Sequence, residues 1–335
     1  MNQSRRFTAL SGAVALSLLV SACGGGGGST PAPIPAPAPA PGFVPPPTLG
    51  SNTTTPLFAP GYAISPPPAT GDTATDGYAE FNYRRQQAGL GALARNSNID
   101  SATLGHSNYQ YVNDVITHTQ DPTRPAFTGV DVAARLAGAQ YQFNATSGYA
   151  YGEVISASAD LSGANNAEDL LTAIYHRFVI LEPKFREAGA AKVGVSRTGY
   201  NYFTVDFTAN GLTGGVGAGQ IALYPFPGQV NVVPLFPNHQ ESPDPVPTQD
   251  GVGYPVSVHA DIDTTVTVTQ FTIQPRGGAP LPTKLLIHVN DPETPASAAA
   301  IVPLTVLSPS TVYDVLFTGT VSGQNVSRVW SFTTR

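Results

Sequence analysis

Histidine and carboxylate side chains are the residues of this chain best suited to chemistry. The six histidines occupy positions 106, 118, 176, 239, 259 and 288, and only the first three precede the β-rich C-terminal region. Imidazole titrates near neutral pH and binds metals, and two His with one carboxylate and an open position can hold Zn. His118, Glu153 and His176 are therefore the candidate cleft residues. His106 lies on a predicted helix face, which favours a structural role.

Residues 76–210 contain no Gly-x-Ser-x-Gly elbow and no Cys. A conventional acyl-transfer enzyme thus has no support in the sequence. The enzymatic alternative is metal-assisted hydrolysis, in which Glu153 acts as general base and the two histidines, His118 and His176, hold the metal.

Helices and strands alternate in the segment that carries these residues. Apolar periodicity predicts a helix from about Asp76 that stops at Gly89-Leu90-Gly91, a second helix over 97–112 and a third over 167–181. Strand patterns follow at 192–195 and 200–207. Residues 76–211 therefore form one predicted α+β domain.

The C-terminal region predicts a β-sandwich. Short β-prone runs separated by Pro, Gly and Asp fill residues 222–335, and Trp330 and Phe332 alternate toward one face of the last run. They resemble the close of a bacterial Ig-like domain. The Pro-rich segment from Tyr224 to Pro245 is interpreted as an interdomain hinge, with the domain boundary between Gly211 and Val230.

The amino terminus has the layout of a secretory signal peptide. Arg5 and Arg6 precede an apolar run that is too short and interrupted to predict a membrane-spanning helix. Leu19-Val20-Ser21-Ala22-Cys23 resembles the lipobox of bacterial lipoproteins. This predicts cleavage after residue 22 and an acylated Cys23 that attaches the protein to a membrane of the bacterial cell envelope. Gly24 favours the outer membrane.

Composition supports an extracytoplasmic protein on a tether. The formal net charge of −6 argues against a nucleic-acid partner, and Cys23 is the sole Cys, so the chain has no internal disulfide. Residues 23–75 are rich in Gly and in Pro-Ala repeats, which favour flexible and extended backbone over a packed core. They are interpreted as a spacer.

A family resemblance rests on the order and spacing of several short segments between Tyr78 and Phe207. They are Ala88-Gly89-Leu90, Leu93-Ala94-Arg95-Asn96, Leu104-Gly105-His106-Ser107, Thr117-His118-Thr119-Gln120, Gly152-Glu153, and the run from His176-Arg177-Phe178 to Gly189. Together they resemble the CAP superfamily, also called the SCP-like, cysteine-rich secretory protein, antigen 5 and pathogenesis-related 1 family.

The resemblance implies a three-layer α-β-α sandwich with a central cleft of two His and two acidic residues. His118, Glu153 and His176 match three of those positions, and Val154 stands where the family has Asn. The fourth position is unassigned, since Glu168 and Asp169 are poorly placed for it.

Three functions compete at this point. The leading one is a non-enzymatic protein that binds a small apolar or lipid-like ligand in the cleft around His118, Glu153 and His176, with Zn as a possible cofactor. The second is the metal-assisted hydrolase. The third is a structural or adhesive envelope protein in which the C-terminal domain makes the contacts.

Overall fold

A five-stranded mixed sheet lies at the centre of the N-terminal part. The computed structural model describes residues 64–335 and the backbone of residues 15–19. The strands are β1 (Ala15–Leu19), β2 (Ala94–Arg95), β3 (Tyr149–Ser158), β4 (Glu187–Val193) and β5 (Asn201–Asn210), in the order β1-β3-β5-β4-β2. Strands β3, β5 and β4 are antiparallel, and β1 and β2 add in parallel at the two edges. Cys23, the rest of the predicted signal peptide and the tether through residue 63 lie outside the described residues.

Two sets of helices contact this sheet. The first set is α1 (Thr73–Gln87), α4 (Gly163–Thr172) and α5 (Ile174–Ile180); the second is α2 (Ser97–Asn113) and α3 (Val132–Gly138). Each set has its own apolar cluster. The two clusters lie on opposite faces of the sheet, and β5 shows why, because its side chains alternate between the faces. Phe203, Val205 and Phe207 join the first cluster, and the residues between them are polar.

Helices α1 and α4 cross at a pair of glycines. A Cβ atom on Gly163 would lie 2.2 Å from the Thr73 carbonyl oxygen and 2.6 Å from the Gly77 nitrogen. A Cβ on Gly77 would in turn meet the Phe203 ring at 2.5 Å. The two glycines thus allow an approach of the two helix backbones that a larger residue would prevent.

The helix predicted over 167–181 is two helices in the structure. Ala173 has an extended backbone conformation between α4 and α5, with φ −69° and ψ 118°. The Glu241 carboxylate accepts hydrogen bonds from the backbone N–H groups of Ile174 and Tyr175 at 2.9 and 2.7 Å, respectively. Glu241, 67 positions away in the chain, therefore caps the N-terminus of α5 by accepting from its free N–H groups. The local sequence gives no sign of a cap that is so distant.

The C-terminal part consists of antiparallel sheets. Its strands are β6 (Ala222–Tyr224), β7 (Leu235–Phe236), β8 (Val252–Gly253), β9 (Val256–His259), β10 (Val266–Pro275), β11 (Thr283–Ile287), β12 (Ala298–Pro303), β13 (Val312–Val321) and β14 (Gln324–Thr333). One sheet has the order β10-β13-β14 and the other β11-β12-β9-β6, with a separate β7-β8 pair. A 3-10 turn covers Asn238–Gln240. Trp330 packs 6.3 Å from Phe271 between ring centroids, as its inward position predicts.

The N- and C-terminal parts share one hydrophobic core. The apolar cluster around α1, α4 and α5 continues without a break into the C-terminal strands. The Arg177 guanidinium lies between the Tyr224 and Tyr254 rings, 5.1 and 4.6 Å from their centroids, and donates to the Pro255 carbonyl at 2.7 Å. Tyr224 and Phe236 are buried. The segment interpreted as a hinge is therefore packed into the core.

Within residues 64–335, no helix combines the length and the apolar character that crossing a bilayer requires.

Candidate functional site: a buried His–Glu–Arg network

His118 and Glu153 meet at the centre of the site. His118 lies in the loop between α2 and α3, and Glu153 lies on β3. The His118 Nδ1 atom is 2.8 Å from Glu153 Oε1. Because an ionised carboxylate only accepts hydrogen bonds, Nδ1 carries the proton, and Nε2 is the ring nitrogen suited to a ligand or metal. His118 remains 7% exposed, whereas Glu153 is fully buried.

Arg135 compensates the buried charge of Glu153. Its Nη2 atom is 2.6 Å from Glu153 Oε2, and both side chains are fully buried. Nη1 donates to the His118 backbone carbonyl at 2.9 Å. Burial opposes ionisation of Glu153, but the charge of Arg135, aided by the hydrogen bond with His118, holds the pKa of that carboxyl well below its usual range. Arg135 thus fixes the charge of Glu153 and the position of His118, a role that the sequence reasoning missed.

His106 positions the loop that carries His118. Its Nε2 donates to the Thr117 carbonyl at 2.7 Å, and its Nδ1 accepts from the Gln120 amide at 2.9 Å. Burial lowers the pKa of His106 to about 4, although the nearby Glu153 opposes this shift. The neutral ring fits the structural role that was expected for His106.

Asp206 supplies a second acidic residue beside Glu153. The two residues are direct cross-strand partners in the β3–β5 register, and both are fully buried. Burial, reinforced by the charge of Glu153, raises the pKa of Asp206 well above its usual range. A protonated Asp206 beside an ionised Glu153 avoids two adjacent negative charges. Asp206 is the sole charged residue in the 202–207 run, and a lone acid in a buried strand was the sequence signal for a site residue.

His176 lies in a different environment from the His118–Glu153 pair. It is buried at the start of α5, where its backbone N–H lies 3.3 Å from Glu241 Oε1. His176 lines a small cavity of about 60 Å³ together with Ser156. Residues 153 and 156 differ by an odd number on β3, so their side chains point to opposite faces of the sheet. The structure brings His118 and Glu153 together and does not place His176 beside them.

The two acids considered for the fourth position also lie elsewhere. Glu168 forms an ion pair with Arg84 at 2.6 Å. Asp169 lines the His176 cavity, and burial together with the charge of Asp160 raises its pKa to about 6.

Over the described residues 64–335, no group of three or more His, Cys, Asp or Glu side chains is arranged to hold a metal ion. The Oε1 and Oε2 atoms of Glu153 are engaged by His118 and Arg135, respectively. This arrangement favours an orienting role for Glu153 over metal ligation or general-base chemistry.

An aromatic surface borders Glu153 along β3. Tyr151 is on the same strand face as Glu153, two residues away. The Phe143 ring packs 4.4 Å from the Tyr149 ring and 5.7 Å from the Tyr151 ring between centroids. Phe143, Tyr149 and Tyr151 are each half-buried. The half-buried rings thus border the His118–Glu153 pair along β3.

These features define a mixed α/β domain with a buried His–Glu–Arg network. Residues 78–207 match the model of the cysteine-rich secretory protein family, CAP. The chain therefore contains a CAP domain, which confirms the resemblance in its sequence. No curated protein matches the chain.

Three solved structures are similar to part of the chain. An extracellular SCP-domain protein from Bacillus anthracis is 22% identical with a TM-score of 0.34, over 41% of this chain and 40% of that one. An outer surface protein from Borrelia burgdorferi is 19% identical with a TM-score of 0.32, over 40% and 89%. A cysteine-rich secretory protein from Staphylococcus aureus is 18% identical with a TM-score of 0.30, over 41% and 38%. This chain thus spans less than half of the Bacillus and Staphylococcus proteins.

Proposed function

We propose that this protein binds a small amphipathic or lipid-like ligand at the His118–Glu153 pair and the neighbouring aromatic surface. The observation that carries the proposal is that Glu153, which orients the His118 imidazole, shares one face of β3 with the half-buried ring group of Phe143, Tyr149 and Tyr151. The rings cover the apolar body of the ligand, and His118 Nε2 bonds its polar end.

Glu153 and Arg135 prepare His118 for this role. Glu153 fixes the tautomer of the His118 ring by accepting from its Nδ1, and Arg135 donates a hydrogen bond to the His118 backbone carbonyl. A ligand therefore meets a side chain whose orientation is already fixed, which reduces the entropy lost on binding.

The proposal also covers the architecture of the two domains and the attachment of the protein to a membrane. We propose that residues 76–211 form a three-layer α-β-α sandwich and that residues 222–335 form an Ig-like β-sandwich. Acylation at Cys23 attaches the protein to the cell envelope outside the cytoplasm, at the outer membrane. The preceding removal of residues 1–22 takes β1 with it and leaves β3 as the edge of the sheet. The tether, predicted over residues 23–75, ends before Thr73, because α1 begins at this residue and buries Thr73 and Ala74.

The test is native mass spectrometry of the full chain as purified and after incubation with oleic acid. We expect one bound lipid that His118→Ala or Tyr151→Ala removes or weakens about tenfold. His239→Ala is the matched control, because His239 is exposed and lies in the C-terminal part. Absence of bound lipid in the unmodified chain, or equal retention in His118→Ala and His239→Ala, would refute the proposal.

The same experiment with added Zn tests the metal prediction. A single Zn that is lost in both His118→Ala and His176→Ala would require the two histidines to approach each other on metal binding. Unchanged mass would leave lipid binding as the sole proposed activity of the site.

A further inference from the structure

A second and larger cavity lies between the CAP domain and the C-terminal part. Its volume is about 360 Å³. Helix α1 lines it with Tyr83, Arg84 and Gln87, and α4 contributes Glu168. The opposite wall is Tyr254 and the turn over 228–233. Ligand sites favour such junctions, and the volume suits a molecule of drug-like size.

The polar groups of the wall are held in a connected array. Arg84 Nε is 2.8 Å from Glu80 Oε1 and 2.6 Å from Glu168 Oε1. Arg84 Nη1 donates to the Gln87 side-chain oxygen at 3.0 Å, and the Gln87 side-chain amide donates to the Tyr83 hydroxyl at 2.9 Å. The array therefore presents fixed donors and acceptors together.

The charge balance of this wall disfavours a charged ligand. Two carboxylates already compensate Arg84, so little positive charge is available to an anion such as phosphate. Burial, together with the charge of Glu168, raises the pKa of Glu80 to about 7. At pH 7 Glu80 is thus about half protonated, so Glu80 and Glu168 together leave only a small negative excess beside Arg84, which weakens the attraction for a cation. The predominantly polar lining disfavours a lipid.

We propose that this interface cavity binds a neutral saccharide. Sugar hydroxyls donate and accept hydrogen bonds, which matches the alternation of guanidinium, carboxylate, amide and phenol groups on α1 and α4. Tyr83, half-buried on α1, adds an aromatic ring that can contact the C–H groups of a sugar ring. The site is independent of the His118–Glu153 pair and gives the C-terminal part a share in ligand binding.

Isothermal titration calorimetry of the full chain tests this proposal. The probes are maltotriose, cellotriose and the trimer of N-acetylglucosamine, with glucose 6-phosphate and glucosamine as charged comparators. We expect at least one neutral trisaccharide to bind, and Gln87→Ala and Glu168→Gln each to weaken it about tenfold, the effect of losing one or two hydrogen bonds. Gln142→Ala, an exposed Gln on the CAP domain away from the cavity, should bind as the unmodified chain does.

Three outcomes would overturn the proposal. They are absence of binding by all three trisaccharides, binding that Gln87→Ala and Glu168→Gln leave unchanged, and preferential binding of a charged comparator. Far-UV circular dichroism of each variant separates loss of the site from loss of the fold. Because Gln87 is half-buried on the helix surface, its truncation should leave the fold intact.

Discussion

We expect Arg135→Met to destabilise the protein far more than Arg276→Met, although the two arginines form ion pairs of similar length. Arg135 lies 2.6 Å from Glu153, and both side chains are 0% exposed. Arg276 lies 2.7 Å from Asp314, but the Arg276 side chain is 52% exposed. The two variants therefore compare ion pairs of similar length that differ in the exposure of the arginine.

The magnitude follows from what each substitution leaves behind. Arg135→Met leaves the Glu153 carboxylate buried without its guanidinium and next to Asp206, for which we expect a loss of about 3–5 kcal/mol in the free energy of unfolding. Arg276→Met removes a guanidinium that is half exposed, so the pair with Asp314 is solvated from the Arg276 side, and partly exposed pairs of this kind contribute about 0–1 kcal/mol. The expected difference between the two variants is thus about 3 kcal/mol or more.

Urea unfolding at pH 7, followed by far-UV circular dichroism, measures both values. The loss in Arg135→Met should shrink as the pH falls, because Glu153 can then take up a proton and become neutral. Adding Glu153→Gln to Arg135→Met should recover part of the loss, since it removes the uncompensated charge. Equal destabilisation by Arg135→Met and Arg276→Met, or a loss below about 1 kcal/mol in the former, would refute the buried network.

Three further predictions concern packing and buried carboxylates elsewhere in the protein. Gly163→Ala should destabilise the protein in thermal melts by about 1–3 kcal/mol, because the new methyl group meets the Gly77 backbone at 2.6 Å; an unchanged melting temperature would contradict this close contact. Burial raises the pKa of Glu182 in the folded protein to about 8, above its ordinary value of 4.5, so the folded state favours the protonated form. The resulting contribution to stability is complete below about pH 4.5 and is lost as the pH rises to about 8. Glu182→Gln should therefore flatten this part of the stability–pH curve, and an unaltered curve would argue against a protonated Glu182. Glu241→Ala should speed hydrogen exchange at the amides of residues 174–176, since its carboxylate accepts from those N–H groups, and unchanged exchange would exclude that capping role.

Much of the fold could be predicted because local patterns carried it. The second helix, predicted over 97–112, is Ser97–Asn113 in the structure, where the Asn96 side chain accepts from the Asn98 and Ile99 amides as a helix cap. The inward alternation of Trp330 and Phe332 likewise matches their burial on β14. Periodicity and capping involve neighbouring residues, so the sequence displays them directly.

Other elements depended on distant partners. Strand β12, Ala298–Pro303, was not predicted, because its alanines have little intrinsic preference for a strand; pairing with β11 and β9 stabilises it. Strand β3 runs over ten residues, Tyr149–Ser158, and was likewise not among the predicted strands, which began at residue 192. Both are central strands whose burial decides their conformation.

The sequence by itself determined the CAP domain and identified His118 and Glu153 as candidate site residues, since motif order and residue chemistry are properties of the chain. Tertiary structure decided which of these side chains meet. It joined Arg135 and Asp206 to Glu153 and placed His176 beside Glu241. Such contacts link residues from 18 to 65 positions apart, and only chain packing sets their distances.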